Sequence, residues 1–291
     1  MKDHRVKARH GVSKLSDPVW LSRIISAAAN SSDDNGVLTG NWTGEYEGGV
    51  SPTTWNGSVK ILQQYAETKT PVKYGQCWVF SGLTTTLLRA IGIPARSVTN
   101  FSSAHDTDNT MTIDEFVDKE GSDVHENGDS VWNFHVWNEI WVKGTGHWEA
   151  KYAGWAAVDA TPQEESRGMM QCGPAPIKAV KEGDIHVGYD SNFVFGEVNA
   201  DRISWICSKS ENACIIESMG SRIKSGVGIN ISTKAVGSRN RNVLTNDYKY
   251  SEGSGEERNA WHNAYKHCSR PDYFNKFLDV DEKQIKTGFL L

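Results

Sequence analysis

An α+β fold, in which a helix led by a cysteine packs against an antiparallel sheet carrying a histidine and an aspartate, is predicted by three stretches of this sequence. Behind Cys77 the apolar residues Phe80, Leu83, Leu87, Leu88 and Ile91 recur at helical spacing, and Gly92-Ile93-Pro94 supplies stop signals. Residues 131–142 alternate with period two. This places Trp132, Phe134, Val136, Ile140 and Val142 on one face, and Asn133, His135, Trp137 and Glu139 on the other. Residues 154–162 read as a following strand with a short return, so an antiparallel pair that sets His135 opposite Asp159 is expected.

The chain can support such a core. Its 291 residues, 38% hydrophobic and 23% charged, suffice for one large or two modest globular domains and exclude a disordered protein. A net charge of −5 with both signs scattered gives no reason to expect nucleic acid or a membrane surface as partner. No apolar run is long enough to form a transmembrane segment, and the start Met1-Lys2-Asp3-His4-Arg5-Val6 lacks the apolar stretch of a signal peptide. Five cysteines, Cys77, Cys172, Cys207, Cys214 and Cys268, make an odd count without CxxC pairs. This argues against a disulfide framework or a structural zinc, and for a reducing, cytoplasmic setting. Eleven tryptophans invite the expectation of an apolar-walled cleft.

Taken in order, residues 1–16 read as a basic lead-in. Asp17-Pro18 starts a helix, with Val19, Ile24, Ile25 and Ala28 following at helical spacing. The run Asn30-Ser31-Ser32-Asp33-Asp34-Asn35-Gly36 ends it with residues that suit both a turn and a hard cation. A glycine-rich loop follows, carrying the indole of Trp42; without a Gly-Lys-Ser/Thr ending it is no phosphate loop. A second helix is expected over residues 57–65 with Val59, Ile61 and Leu62 inward, and a strand over 95–101. Asp106, Asp108 and Thr110 then repeat at every second position, as at the opening of an EF-hand loop. Met111 and Val117 stand where that loop needs Gly and Glu, which leaves a generic acidic loop. Beyond Pro162 the sequence offers β-like runs at 193–198 and 229–233. A last helix runs through His262 and Tyr265, opened by a capping box at Ser254 and Glu257.

Cys77 falls in the first helical turn, where free backbone N–H groups and the macrodipole favour a thiolate, although a lone cysteine there reads more readily as a packed core residue. The order Cys77, His135, Asp159 assigns a nucleophile, a proton carrier and an orienting carboxylate. The residues around this trio carry a resemblance. Tyr74-Gly75-Gln76-Cys77-Trp78-Val79-Phe80, Ser103-Ala104-His105-Asp106, Val131-Trp132-Asn133-Phe134-His135-Val136-Trp137, Asp159-Ala160-Thr161-Pro162-Gln163-Glu164, Cys172-Gly173-Pro174, Glu197-Val198-Asn199-Ala200-Asp201 and Ile231-Ser232-Thr233-Lys234 stand in this order within residues 17–266. In this the chain resembles the catalytic core of animal calcium-dependent transglutaminases.

The resemblance implies a papain-like α+β core and acyl transfer from a protein glutamine carboxamide through a Cys77 thioester. The acceptors would be lysine, polyamines or water, and the partners proteins with reactive Gln and Lys. Trp42 matches the indole that, with the Cys77 N–H, would hold the oxyanion, and Trp132 the second indole of a substrate tunnel. Three Ca²⁺ sites are implied: Ala27 (through its carbonyl), Asn30 and Asp34; Asn199, Glu252 and Glu257; and Asp106, Asp108, Thr110, Thr112 and Asp129. The family's β-sandwich before the core and β-barrels after it are not expected in this chain, whose earliest core segment is also expected to be missing. Residues 267–291 read as a tail, of which 281–291 match nothing in the family. Such a truncated chain leaves two alternatives open, an inactive calcium-binding scaffold and a papain-type protease.

Overall fold

The computed structural model describes residues 16–269 apart from 126, 144–145 and 211–212, so all but the last residue of the lead-in and most of the tail lie outside the described residues. In chain order the elements are α1 (Pro18–Ala29), β1 (Leu38–Gly40), α2 (Ser58–Thr68), β2 (Val72–Gly75), α3 (Cys77–Ala90), β3 (Ala95–His105), β4 (Thr112–Val117), β5 (Asp123–His125), β6 (Ser130–Val142) and β7 (Gly154–Asp159). They continue with β8 (Cys172–Pro176), α4 (Ile177–Glu182), α5 (Ser191–Asn199), β9 (Asp201–Ser210), β10 (Ala213–Ile223), β11 (Ile229–Lys234), β12 (Arg241–Val243), α6 (Thr245–Tyr248) and α7 (Gly255–Tyr265).

The central sheet has the order β12-β11-β3-β6-β7-β8 and is antiparallel throughout. Its middle strands alternate as the period-two pattern requires. Ile140 and Val142 of β6, with Ala156 and Val158 of β7, join the core that includes Val19 and Leu88 of α1 and α3. Trp137 and Ala157 point to the other face, into the core that includes Val194, Phe195 and Val198 of α5 and Trp261 of α7. Behind His135, Trp137 Nε1 donates to Tyr248 Oη (2.8 Å), which donates to Glu139 Oε1 (2.6 Å), and Arg96 Nε closes the chain on Glu139 Oε2 (2.6 Å). A second sheet, β10-β9-β4-β5, pairs β4 with β9 in parallel.

The helices start where their caps predict. Asp17 accepts from Val19 N (3.0 Å) ahead of Pro18, and Ser254 Oγ accepts from Glu257 N (3.1 Å). Glu257 turns its carboxylate to Arg258 instead of completing a capping box. In α3 Phe80, Leu83 and Leu88 are fully buried, whereas Ile91 is the C-terminal cap and is exposed. In α2 Ile61 is buried but Val59 faces solvent, because a helix this marginally apolar covers the core with a single stripe.

Two further readings of the sequence are corrected. Residues 193–198 are not a strand: they lie in α5, where Val194, Phe195 and Val198 reach the core at helical spacing, so tertiary packing overrides the β preference of Phe and Val. Cys207 and Cys214 are joined by a disulfide across the β9/β10 hairpin, and Cys77, Cys172 and Cys268 keep their thiols. The odd count is one bridge plus three thiols, and the argument for a reducing setting drawn from it does not hold. Among the described residues no helix is long and apolar enough to cross a membrane.

Candidate active site

Cys77 is the first residue of α3 and is 3% exposed. The Gln76 carbonyl already accepts from Val79 N and Phe80 N (2.8 and 3.1 Å), so the turn that holds the thiol is closed. Its first N–H groups have no intrahelical acceptor and face any negative charge that develops at the sulfur or beside it.

His135 comes from β6 and Asp159 from the end of β7, and the antiparallel pairing of those strands brings them together. His135 Nε2 lies 2.7 Å from Asp159 Oδ2, with both residues almost wholly buried. The aspartate is aimed from its other side, since Oδ1 accepts from Thr161 N at 2.8 Å. With Nε2 committed to Asp159, Nδ1 is the ring nitrogen left for the thiol. It is buried without a hydrogen bond. Burial opposes a charge on the ring. The Asp159 carboxylate, the Cys77 side chain and Glu197 outweigh it and hold the imidazole well above its ordinary value. The imidazolium form of His135 is thereby favoured.

Two further residues, outside the sequence-based candidate set, complete the cluster. Gln163 Nε2 stands 2.9 Å from Asp159 Oδ2, 3.0 Å from His135 Nε2 and 3.4 Å from Glu197 Oε1, and Glu197 Oε1 is 3.6 Å from His135 Nε2. Gln163 lies one turn of chain beyond Asp159, but Glu197 reaches the site only because α5 packs beneath β3, where Asn100 Nδ2 donates to the Glu197 carbonyl (3.0 Å). Burial pushes the Glu197 carboxyl up to about 8, with the Asp159 charge adding to the shift and His135 opposing it. An acid whose folded value exceeds its unfolded one stabilises the fold at low pH and loses that contribution as the pH rises through the folded value. The stability of the native chain relative to Glu197→Gln is therefore expected to fall by roughly 3–5 kcal/mol between pH 4.5 and 8. Denaturant melts of both proteins across that range measure it, and parallel curves would refute it.

The two expected indoles differ in how they are held. Trp132 meets the His135 ring edge-on at 5.2 Å and the His105 ring at 5.6 Å, and His105 Nε2 is 2.8 Å from Glu164 Oε1. Trp42 is exposed and stacks on Phe80, one turn into α3 from Cys77, at 6.4 Å. Gly40 makes room for it, because a Cβ there would stand 2.5 Å from the indole ring.

Of the implied calcium sites, the acidic loop fits best. Asp106, Asp108 and Asp129 offer carboxylate oxygens within 4.8 Å of one another. Thr110 Oγ1 joins Asp108 Oδ1 (3.0 Å) and Thr112 Oγ1 (2.9 Å). Burial, reinforced by the charges of Asp129 and Asp108, pushes Asp106 up to about 8 against the backbone hydrogen bonds of Thr110 and Met111. Burial likewise takes Asp114, a neighbour not anticipated from sequence, up to about 7. Crowded, partly desolvated carboxylates of this kind suit a divalent cation.

The other two sites fit less well. Ala27 and Asn30 are buried at the end of α1 and Asp34 is exposed beyond it. The Asn30 amide is engaged with Ser26 O, Met170 O and Ser32 N. At the remaining set Asn199 is buried at the end of α5, but both carboxylates already have protein cations. Glu252 Oε1 takes the buried Lys249 Nζ (2.5 Å), which also donates to the Val198 and Val227 carbonyls, and Glu257 takes Arg258 Nε (2.7 Å).

Residues 45–160 match the family model described as the transglutaminase-like superfamily. Annulin of Schistocerca americana is 50% identical over 287 residues, covering 96% of this chain and 36% of annulin. The protein-glutamine gamma-glutamyltransferase E of Mus musculus is 49% identical over 254 residues, 87% of this chain and 36% of the mouse protein. The crystal structure of red sea bream transglutaminase superposes with a TM-score of 0.75 at 45% identity, covering 87% of this chain and 38% of that one. The chain thus spans little more than a third of the length of the relatives it matches.

Proposed function

This chain belongs to the transglutaminase family, alongside the protein-glutamine gamma-glutamyltransferases, and on that footing we propose that it carries out calcium-dependent acyl transfer from protein glutamine to lysine or another primary amine. Residues 17–266 would be its catalytic core. The observation that carries the reading is the buried Cys77, His135 and Asp159 cluster at the start of α3.

In this mechanism Cys77 attacks the carboxamide carbon as a thiolate, and the imidazolium of His135 delivers its proton to the departing ammonia. The thioester that remains is attacked by an amine, whose proton His135 takes up. Asp159 keeps the ring oriented and stabilises its charged form in both halves. Each half passes through a tetrahedral oxyanion, for which the Cys77 N–H and the Trp42 indole N–H are the donors. Trp132 walls the approach to His135 and limits water, which would otherwise give deamidation.

Asp106, Asp108, Thr110, Thr112 and Asp129 would hold a Ca²⁺ ion. It would relieve the repulsion among their oxygens and order the loop between β3 and β4. Ala27, Asn30 and Asp34 form a second candidate. Asn199, Glu252 and Glu257 would require Lys249 or Arg258 to yield a carboxylate. Polyamines fit as acceptors because they present the same primary amine as lysine.

Incorporation of a fluorescent primary amine into a glutamine-bearing protein tests the proposal. Label is expected only with Ca²⁺ present and Cys77 intact. A cooperatively melting sample that incorporates none under those conditions sinks the enzyme reading in favour of a calcium-binding scaffold, and cleavage of the glutamine-bearing protein would favour a protease.

A further inference from the structure

Around His135 Nε2 three ligand-type atoms converge in a fully buried setting. Nε2, Asp159 Oδ2 and Glu197 Oε1 all lie within 4.8 Å of one another, on residues 0, 3 and 2% exposed. The reaction as derived uses only the first two. The point they share is filled by the Gln163 amide nitrogen, at 3.0, 2.9 and 3.4 Å from the three atoms. Gln163 thus places a neutral donor where an imidazole nitrogen and two carboxylates face one another.

The geometry points to an inhibitory transition-metal site at which His135, Asp159 and Glu197 ligate a zinc-class dication once the Gln163 side chain swings aside. One imidazole nitrogen and two carboxylate oxygens are a ligand set that Zn²⁺ takes at about 2.0–2.2 Å, with a fourth position left to water. Calcium is poorly served here, since it requires six to eight oxygens, whereas the acidic loop serves it well. The two ions are therefore sorted by ligand chemistry onto different sites.

An approach exists. Gln163 and Thr161 line a cavity of about 170 Å³, together with Glu164, Glu165 and Asp190. A water molecule occupies about 30 Å³, so the cavity admits an ion with several of its waters.

Ligation has a definite chemical consequence, which rests on the proposed transferase reading although the binding itself does not. A metal on Nε2 takes the lone pair of that nitrogen and confines the ring proton to Nδ1, the nitrogen left for Cys77. His135 can then no longer accept a proton during amine attack, and Asp159 no longer orients it.

Zinc binding to the full-length Cys77→Ala protein, measured by calorimetry with Zn²⁺ alone and again in saturating Ca²⁺, tests the site without reference to turnover. One zinc site is expected to persist in calcium. It should weaken at least tenfold in Glu197→Gln and tighten severalfold in Gln163→Ala, which removes the competing amide. Co²⁺ substituted for zinc should show the intense visible bands of a four-coordinate ion. Asp159→Asn serves as the second ligand variant should Glu197→Gln fail to melt cooperatively, with the same tenfold loss expected.

Three results would overturn the site. Binding present in the native chain but absent in Cys77→Ala would place zinc on the thiolate; displacement by calcium would place it in the acidic loop; indifference to both ligand variants would leave no role for these side chains. Because no substrate is used, failure of amine incorporation in the native chain bears on the transferase reading alone.

Discussion

Asp159→Asn is expected to lower the turnover of amine incorporation by about 10⁴-fold while changing the KM for the glutamine substrate little, the pattern seen when a triad carboxylate is made neutral. The local hydrogen bonds give the reason. Thr161 N donates to Oδ1 at 2.8 Å, and His135 and Gln163 crowd Oδ2. An asparagine that keeps its oxygen toward Thr161 turns its NH₂ toward His135 Nε2, which must then be an acceptor. The ring proton moves to Nδ1, the nitrogen that must accept from Cys77. The flipped rotamer restores an acceptor to His135 but sets two N–H donors, Thr161 N and the new amide, against each other. In both cases the carboxylate charge that lifts the His135 ring is gone, and the imidazolium loses its support. Fitted kcat and KM values, with a thermal melt as control, decide the matter. A loss under tenfold in a folded variant would show that Asp159 does not orient the base.

How far the site could be read from sequence depends on the range of the forces that build it. The Cys77 helix and the β6/β7 pair were legible because their signals are local: helical spacing with stop residues in one case, strict alternation in the other. That pairing alone put His135 against Asp159. Glu197 was not legible as a neighbour of His135, because the helix bearing it contains Phe193, Val194, Phe195 and Val198, which suggest a strand when read locally. Only the packing of α5 against the sheet turns Glu197 inward. Gln163 falls in a matched string, yet nothing in its chemistry marks it until three acceptors surround it. The acidic loop shows the converse. Its oxygen-rich composition suggested a cation, and the convergence of Asp106 and Asp108 with Asp129, brought back by the strand pair around it, gives that composition a shape. The disulfide escaped because a cysteine count cannot distinguish a bridge plus free thiols from thiols alone.

The largest stability effect is expected at Asp201, where β9 begins. Its carboxylate is fully buried and shared by two guanidiniums: Arg222 Nε at 2.8 Å, and Arg258 Nη1 at 2.9 Å from each oxygen. Arg222 also lies over the Trp261 ring at 4.5 Å, so the cluster ties β9 and β10 to α7. Burial raises the Asp201 carboxyl despite both arginines, which means that desolvation consumes much of what the ion pairs return. The intact cluster therefore adds little net stability, while its partial removal is costly. Asp201→Ala deprives both guanidiniums of the carboxylate they share and is expected to destabilise the fold by about 3–5 kcal/mol. Adding Arg222→Met to Asp201→Ala removes a buried charge that has lost this carboxylate and should recover part of that loss, giving a coupling energy well above 1 kcal/mol in a double-mutant cycle. Denaturant melts of the four proteins provide the test. If the two losses simply add, the arginine is held by its stacking on Trp261 and the charge pairing at Asp201 contributes nothing to the junction of β9, β10 and α7.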